Sequence, residues 1–167
     1  MNRLIIASIT LCLAIGVCAP GLHALDGMFL GMGAEANANT REGMAGGGSF
    51  TFGIDANRHI AFGLKAIYSN SFDTVSSLEI PAFVRWFPPL QRHGLYVQWE
   101  LGSSIVFENS KGHWTLLGSL GAGWRYTLGN NWYIEPFVRG GYPFIWGAGI
   151  TAGLRFPFSS PNRATGE

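Results

Sequence analysis

Two stretches, LEIPAFVRWFPP at 78–89 and YIEPFVRGGYP at 133–143, interleave bulky apolar residues with glycine, proline and charge. A period of two sends successive side chains to opposite faces of a strand. The same alternation runs through eight segments, near 27–36, 46–55, 59–69, 76–87, 94–107, 115–126, 132–142 and 147–158. Asp55 to Arg58, Pro88 to Gly94 and Gly129 to Asn131 carry the turn residues that separate them.

Sorting by parity gives one face of Phe50, Phe52, Ile54, Leu64, Ile80, Val84, Val97, Trp99, Leu120, Val138, Ile150, Leu154 and their like, with no charge. The opposite face carries Asp55, Lys65, Glu79, Arg85, Gln98, Glu100, Arg125, Glu135, Arg139 and Arg155. Gly31, Gly33, Gly53, Gly63, Gly102, Gly121, Gly123, Gly149 and Gly153 share that polar face. Glycine suits the cramped inside of a narrow closed sheet, so the polar face is the inner one. The bulky face then points outward, which only hydrocarbon tolerates; in lipid the backbone must satisfy itself by closing the sheet. The expectation is an all-β fold: an eight-stranded antiparallel up-and-down transmembrane β-barrel.

Composition agrees. Charged residues make up 13% of the chain, about half the usual 25%. Glycine, at 24 of 167 residues, is about twice its usual 7%. Asn2 and Arg3 precede the apolar run LIIASITLCLAIGVCA, then Pro20, Gly21 and a small residue at Ala24. That pattern predicts a signal peptide over 1–24, followed by a barrel over 25–158 and a flexible periplasmic tail over 159–167. Cys12 and Cys18 both fall in the leader, which leaves the mature chain without thiol chemistry. Loss of Arg3 leaves ten basic and ten acidic residues, so no basic excess exists to hold nucleic acid.

A leader places both termini in the periplasm and the protein in the cell outer membrane. The connections near 37–45, 70–75, 108–114 and 143–146 then face outward. Aromatic girdles are expected at Trp86, Tyr126, Trp132 and Phe158 on the inner rim, and at Tyr68, Phe107, Tyr142 and Trp146 on the outer.

With Glu35 counted as inward, five acids (Glu35, Asp55, Glu79, Glu100, Glu135) face five bases (Lys65, Arg85, Arg125, Arg139, Arg155). Counting along strands groups Arg125, Glu135 and Arg155 at one height and Lys65, Glu79 and Glu100 at another. Equal numbers of both signs in a bore only wide enough for side chains predict a structural plug; a polar conduit or acid–base site is the other reading. Pro81 and Pro136 each delete a ladder donor in a sheet without edges. They mark either a kink in the wall or a lateral gap admitting an apolar molecule. GAGITAG at 147–153 mimics a dinucleotide fingerprint, but a strand continues after it where that motif needs a helix. His59, His93 and His113 lack partners at metal-ligand spacing, and no cofactor or metal site is expected. Glu108, Ser110 and His113 supply the residue types of a hydrolytic triad within one polar connection.

Over residues 26–158 the chain resembles small bacterial outer-membrane β-barrel proteins of the OmpA, OmpX and OmpW type. The leader, the eight alternating strands and the closing strand GAGITAGLRFPF carry the resemblance. It implies that the assembly machinery reads the last strand through its final aromatic residue. Phe158 holds that place, although SSPNRATGE follows it. It implies outer-membrane lipid as a partner and a non-enzymatic structural or surface-interaction role. Two alternatives stand beside it: transport of a small apolar ligand through a luminal pocket with lateral exit, and a lipid A-modifying enzyme.

Overall fold

The computed structural model describes residues 25–39, 43–71, 75–89, 94–108, 111–129 and 131–158. The expected leader, both cysteines and the tail lie outside the described residues. The described strands are β1 (Gly27–Asn39), β2 (Gly43–Asn57), β3 (Ile60–Ser71), β4 (Val75–Trp86) and β5 (Leu95–Glu108). They continue with β6 (Lys111–Trp124), β7 (Tyr126–Leu128), β8 (Trp132–Tyr142) and β9 (Trp146–Pro157). Neighbours pair antiparallel throughout, and β1 closes the sheet against β9. β6 and β7 are one strand interrupted at Arg125, and β8 pairs with both. The wall is therefore a closed barrel of eight strands.

Hydrogen bonds bring the two ends of the barrel chain together: Phe158 N donates to Asp26 O at 3.0 Å, and Asp26 N donates to Asp55 O at 2.9 Å. The end holding Asp26 and Phe158 is called the terminal end below, and the other the far end.

One circuit of the barrel can be walked through cross-strand partners: Gly27, Asp55, Ala61, Arg85, Gln98, Gly121, Arg139, Gly147 and back to β1 at Asn37. The return is displaced by ten residues (37 − 27 = 10). Such a stagger accompanies strands tilted by roughly 35–45° in a closed barrel. It also means that residues equally far from their turns do not share a height.

Several far-end connections are shorter than the sequence suggests. Pairing carries β1 through Asn39 and resumes at Gly43; β3 runs to Ser71, with β4 starting at Val75. β5 runs to Glu108 and β6 starts at Lys111, so most of the expected 108–114 connection is strand. Asn37, Ala38, Gly43 and Ala45 carry no bulky apolar side chain, but ladder hydrogen bonds need none. At the terminal end, Asn57 Oδ1 accepts from the backbone N–H of His59 (2.8 Å) and Ile60 (3.0 Å), closing the β2–β3 turn.

The prolines leave gaps in the ladder. Between β3 and β4 the pairing passes from Leu64↔Ala82 to Ile67↔Glu79, skipping Pro81 and Ile80. Pro136 lies opposite the point where β6 gives way to β7, while its pairing with Ile150 of β9 is intact. Arg125 N there donates to Gly94 O at 2.8 Å, which holds the β5 side of the wall.

The two faces separate by exposure. Leu64, Ile80, Val84, Trp99, Leu101, Leu120, Val138 and Ile150 are exposed, and so are all eight residues expected in the girdles. Trp86, Tyr126, Trp132 and Phe158 stand toward the terminal end and Tyr68, Phe107, Tyr142 and Trp146 toward the far end. Trp114 and Leu116 of β6, absent from the sequence reading of this face, join it. An apolar belt of this extent with a self-satisfied backbone is the form in which β-structure crosses a bilayer.

Candidate functional site

Every charged side chain assigned to the polar parity points into the bore, and the stagger decides which meet. Toward the far end, Glu35 of β1 accepts from Lys65 Nζ at 2.7 Å and from Arg139 Nη2 at 2.8 Å. Arg139 of β8 reaches across the lumen to Glu79 Oε2 (2.9 Å), Glu100 Oε2 (3.4 Å) and Asn37 Oδ1 (3.1 Å). Asn37 Nδ2 in turn donates to Glu35 and to Ser69 Oγ.

Toward the terminal end, Glu135 accepts from Arg85 Nη1 at 2.8 Å and from Arg125 Nε. Asp55 accepts from Arg125 Nη1 at 3.3 Å and from Arg155 Nε at 2.7 Å. Gln98 joins the two groups, accepting from Arg85 Nε at 2.8 Å and donating to Glu100 Oε1 at 2.6 Å. Five acids and five bases thus form one connected network. Buried charges persist only when paired and hydrogen-bonded in this way.

The height count grouped Arg125 with Glu135 and Arg155; Arg125 bonds Glu135, and Arg155 joins them through Asp55. The other expected set, Lys65 with Glu79 and Glu100, is divided. Lys65 bonds Glu35, while Glu79 and Glu100 are held by Arg139. The ten-residue stagger brings β8 opposite these acids at a height that counting residues from the turns does not give.

Sequence analysis missed the aromatic layer in the terminal half of the bore. Phe29, Phe83 and Tyr133 form a buried cluster with Ala61, and Phe87 packs against it. Phe29 and Tyr133 meet edge to face at 6.1 Å between centroids. Arg85 lies 4.0 Å over the Tyr96 ring and Arg125 lies 4.3 Å over Phe29, so the layer also receives the guanidinium faces. Parity held the signal: Phe29, Phe83, Tyr96 and Tyr133 all fall on the charged face. The rings lie where facing residues lack side chains. A Cβ on Gly53 would stand 2.6 Å from Phe29 Cε1, and one on Gly123 would strike Tyr96.

A small cavity remains between the two halves of the network. Its lining mixes charge, from Lys65, Arg85, Glu135 and Arg139, with apolar surface from Phe137 and Val138. Among the described residues, no group of three His, Cys, Asp or Glu side chains is placed to hold a metal ion. Glu108 and His113 are exposed on the far-end hairpin, and Ser110 lies outside the described residues.

A closed eight-strand sheet with an apolar exterior and a charged interior defines the class: a transmembrane β-barrel. No protein-family model matches the chain, and no curated protein sequence matches it. Solved structures do. Neisserial surface protein A aligns with a TM-score of 0.54 and 17% identity, covering 79% of this chain and 97% of its own. The N-terminal β-barrel domain of Pseudomonas aeruginosa OprF gives 0.53 and 17%, over 77% of this chain and 97% of that one. The Yersinia pestis outer membrane protein Ail, determined in a phospholipid bilayer nanodisc, gives 0.53 and 11%, over 78% and 99%. The chain has the fold of the eight-stranded bacterial outer-membrane β-barrels.

Proposed function

We propose that this protein is a non-enzymatic outer-membrane barrel with a structural or surface-interaction role, its bore closed by its own side chains. The observation that carries the reading is the connected network of ten charges, spanning the lumen from Glu35 to Arg155 and backed by the aromatic layer. An ion entering such a bore must break buried pairs, and each break leaves an uncompensated charge. The termini belong in the periplasm in this reading, with the β5–β6 hairpin at the cell surface and Phe158 offered to the assembly machinery.

The ladder gaps at Pro81 and Pro136 supply the one observation favouring transport of a small apolar molecule. The cavity argues against it. Its volume of about 20 Å³ holds little more than a water molecule, and five charged side chains line it beside Tyr96, Phe137 and Val138. Reconstitution into planar bilayers tests the closed bore. Purified protein is expected to leave the membrane at baseline conductance; defined single-channel steps from the folded barrel would overturn the reading.

A further inference from the structure

The far rim of the wall is uneven. β5 and β6 pair without a break in register out to Glu108↔Lys111, whereas the β6–β8 ladder stops at Gly118↔Tyr142. Seven residues of β6 (118 − 111 = 7) therefore have a strand beside them on the β5 side and, among the described residues, none on the other. At roughly 3.3 Å per residue they make an open edge of about 23 Å. β4 follows β5 to the same height, pairing Val75 with Glu108, so the projecting hairpin is braced from behind.

Ladder alternation identifies the backbone groups left over. Arg125 N donates to Gly94 O at 2.8 Å, and hydrogen-bonded pairs recur at every second residue of an antiparallel ladder. Counting by twos from Arg125 turns the backbone groups of Leu117, Thr115 and His113 toward β5. The N–H and C=O of Gly112, Trp114 and Leu116 then point to the open side. Trp114 and Leu116 also present their side chains on the outward face, 46% and 54% exposed. Exposed edges are usually blunted by charge, proline or a bulge. The run GHWTLL at 112–117 contains no Asp, Glu, Lys, Arg or Pro, and its register against β5 is regular.

We infer that the open edge of β6 docks an extended segment of a partner polypeptide, which adds to the wall as a further strand. The inference rests on the surface-interaction reading above, which puts this hairpin outside the cell, and it names the partner's chemistry. Six backbone groups at strand spacing are complemented by another extended backbone; lipid chains offer them nothing. Alternate residues of the added strand lie beside Trp114 and Leu116, so the fitting partner is apolar at every second position. A second copy in the same membrane presents β6 with the same vertical sense, which excludes a symmetric antiparallel pairing of the two edges.

The test uses the full chain folded into phosphocholine vesicles and a fluorescein-labelled peptide, GSSIVFE. This is the sequence of Gly102–Glu108, which pairs with Lys111–Leu117 from the other side. Two further peptides carry N-methyl groups at Ser103 and Ile105, or at Ser104 and Val106. A strand added to one edge turns only one of these sets toward β6. Fluorescence anisotropy is expected to show saturable binding of the plain peptide and of one methylated form, with the other form failing. Trp114→Pro removes an open-side N–H while sparing the β5 ladder, and should weaken binding about tenfold; Trp114→Val keeps the N–H and should stay within about threefold. The methylated pair needs no variant, so the test stands if Trp114→Pro does not fold. No saturable binding up to about 1 mM, or equal binding of both methylated forms, would overturn the proposal. So would a dimer of the barrel that Trp114→Pro dissolves, which would assign the edge to a second copy. Conductance reports on the closed bore and peptide binding on the rim, so either can fail without the other.

Discussion

Arg139 is the side chain on which the far-end half of the bore most depends, and Arg139→Leu is the perturbation that measures this. Its guanidinium bonds Glu35 at 2.8 Å, Glu79 at 2.9 Å, Glu100 at 3.4 Å and Asn37 at 3.1 Å while only 7% of the residue is exposed. Bonds to charged groups are worth about 1.5–3 kcal/mol each, so three carboxylates would suggest a sum of about 5–9 kcal/mol. Members of one network are not additive, and breaking a buried pair by removing one partner costs about 3–5 kcal/mol. The smaller range is the expectation. Truncation leaves Glu35, Glu79 and Glu100 with Lys65 alone, a formal −3 + 1 = −2.

The assay is urea unfolding in lipid vesicles, read by tryptophan fluorescence and by the mobility of the unheated band on gels. A companion variant makes the attribution specific. Adding Glu79→Gln and Glu100→Gln leaves Glu35 paired with Lys65 at 2.7 Å and the half neutral. That triple variant should recover more than half of the loss. A loss below about 1 kcal/mol for Arg139→Leu, or a triple variant no more stable than the single one, would refute the reasoning.

Two further predictions bear on the wall. Gly53→Ala places a methyl against the Phe29 ring and should cost about 1–3 kcal/mol in the same assay, with Phe29→Leu in the same chain relieving it. Leu120, exposed on the outward face of β6, should tolerate Arg poorly: about 2–4 kcal/mol at the bilayer midplane, measured in vesicles. Little change there would mean that hydrocarbon is not the solvent of this face.

The sequence carried the architecture because period-two alternation is a local property. Phe50, Phe52 and Ile54 could be set against Asp55 and Gly53, and Ile80 and Val84 against Glu79 and Arg85, without knowing any partner strand. That sufficed to turn the barrel inside out, to assign all ten network charges to the bore and to direct the eight girdle aromatics outward. Strand ends were less legible. Asn37, Ala38 and Ala45 have no bulky side chain to announce a strand, yet their backbones pair.

Which charges meet was legible only in part: Arg125 meets Glu135 as their heights suggest, but the far-end pairs depend on the displacement accumulated around the closed sheet. Ten residues of stagger carry Arg139 on β8 to Glu35 on β1 and Glu79 on β4, pairs separated by 104 and 60 positions in the chain. The same closure lays Phe29 across the vacancy of Gly53 and stacks Arg125 over Phe29. Alternation along one strand fixes the solvent each side chain meets. Only hydrogen-bond register, summed over every strand, fixes its neighbours.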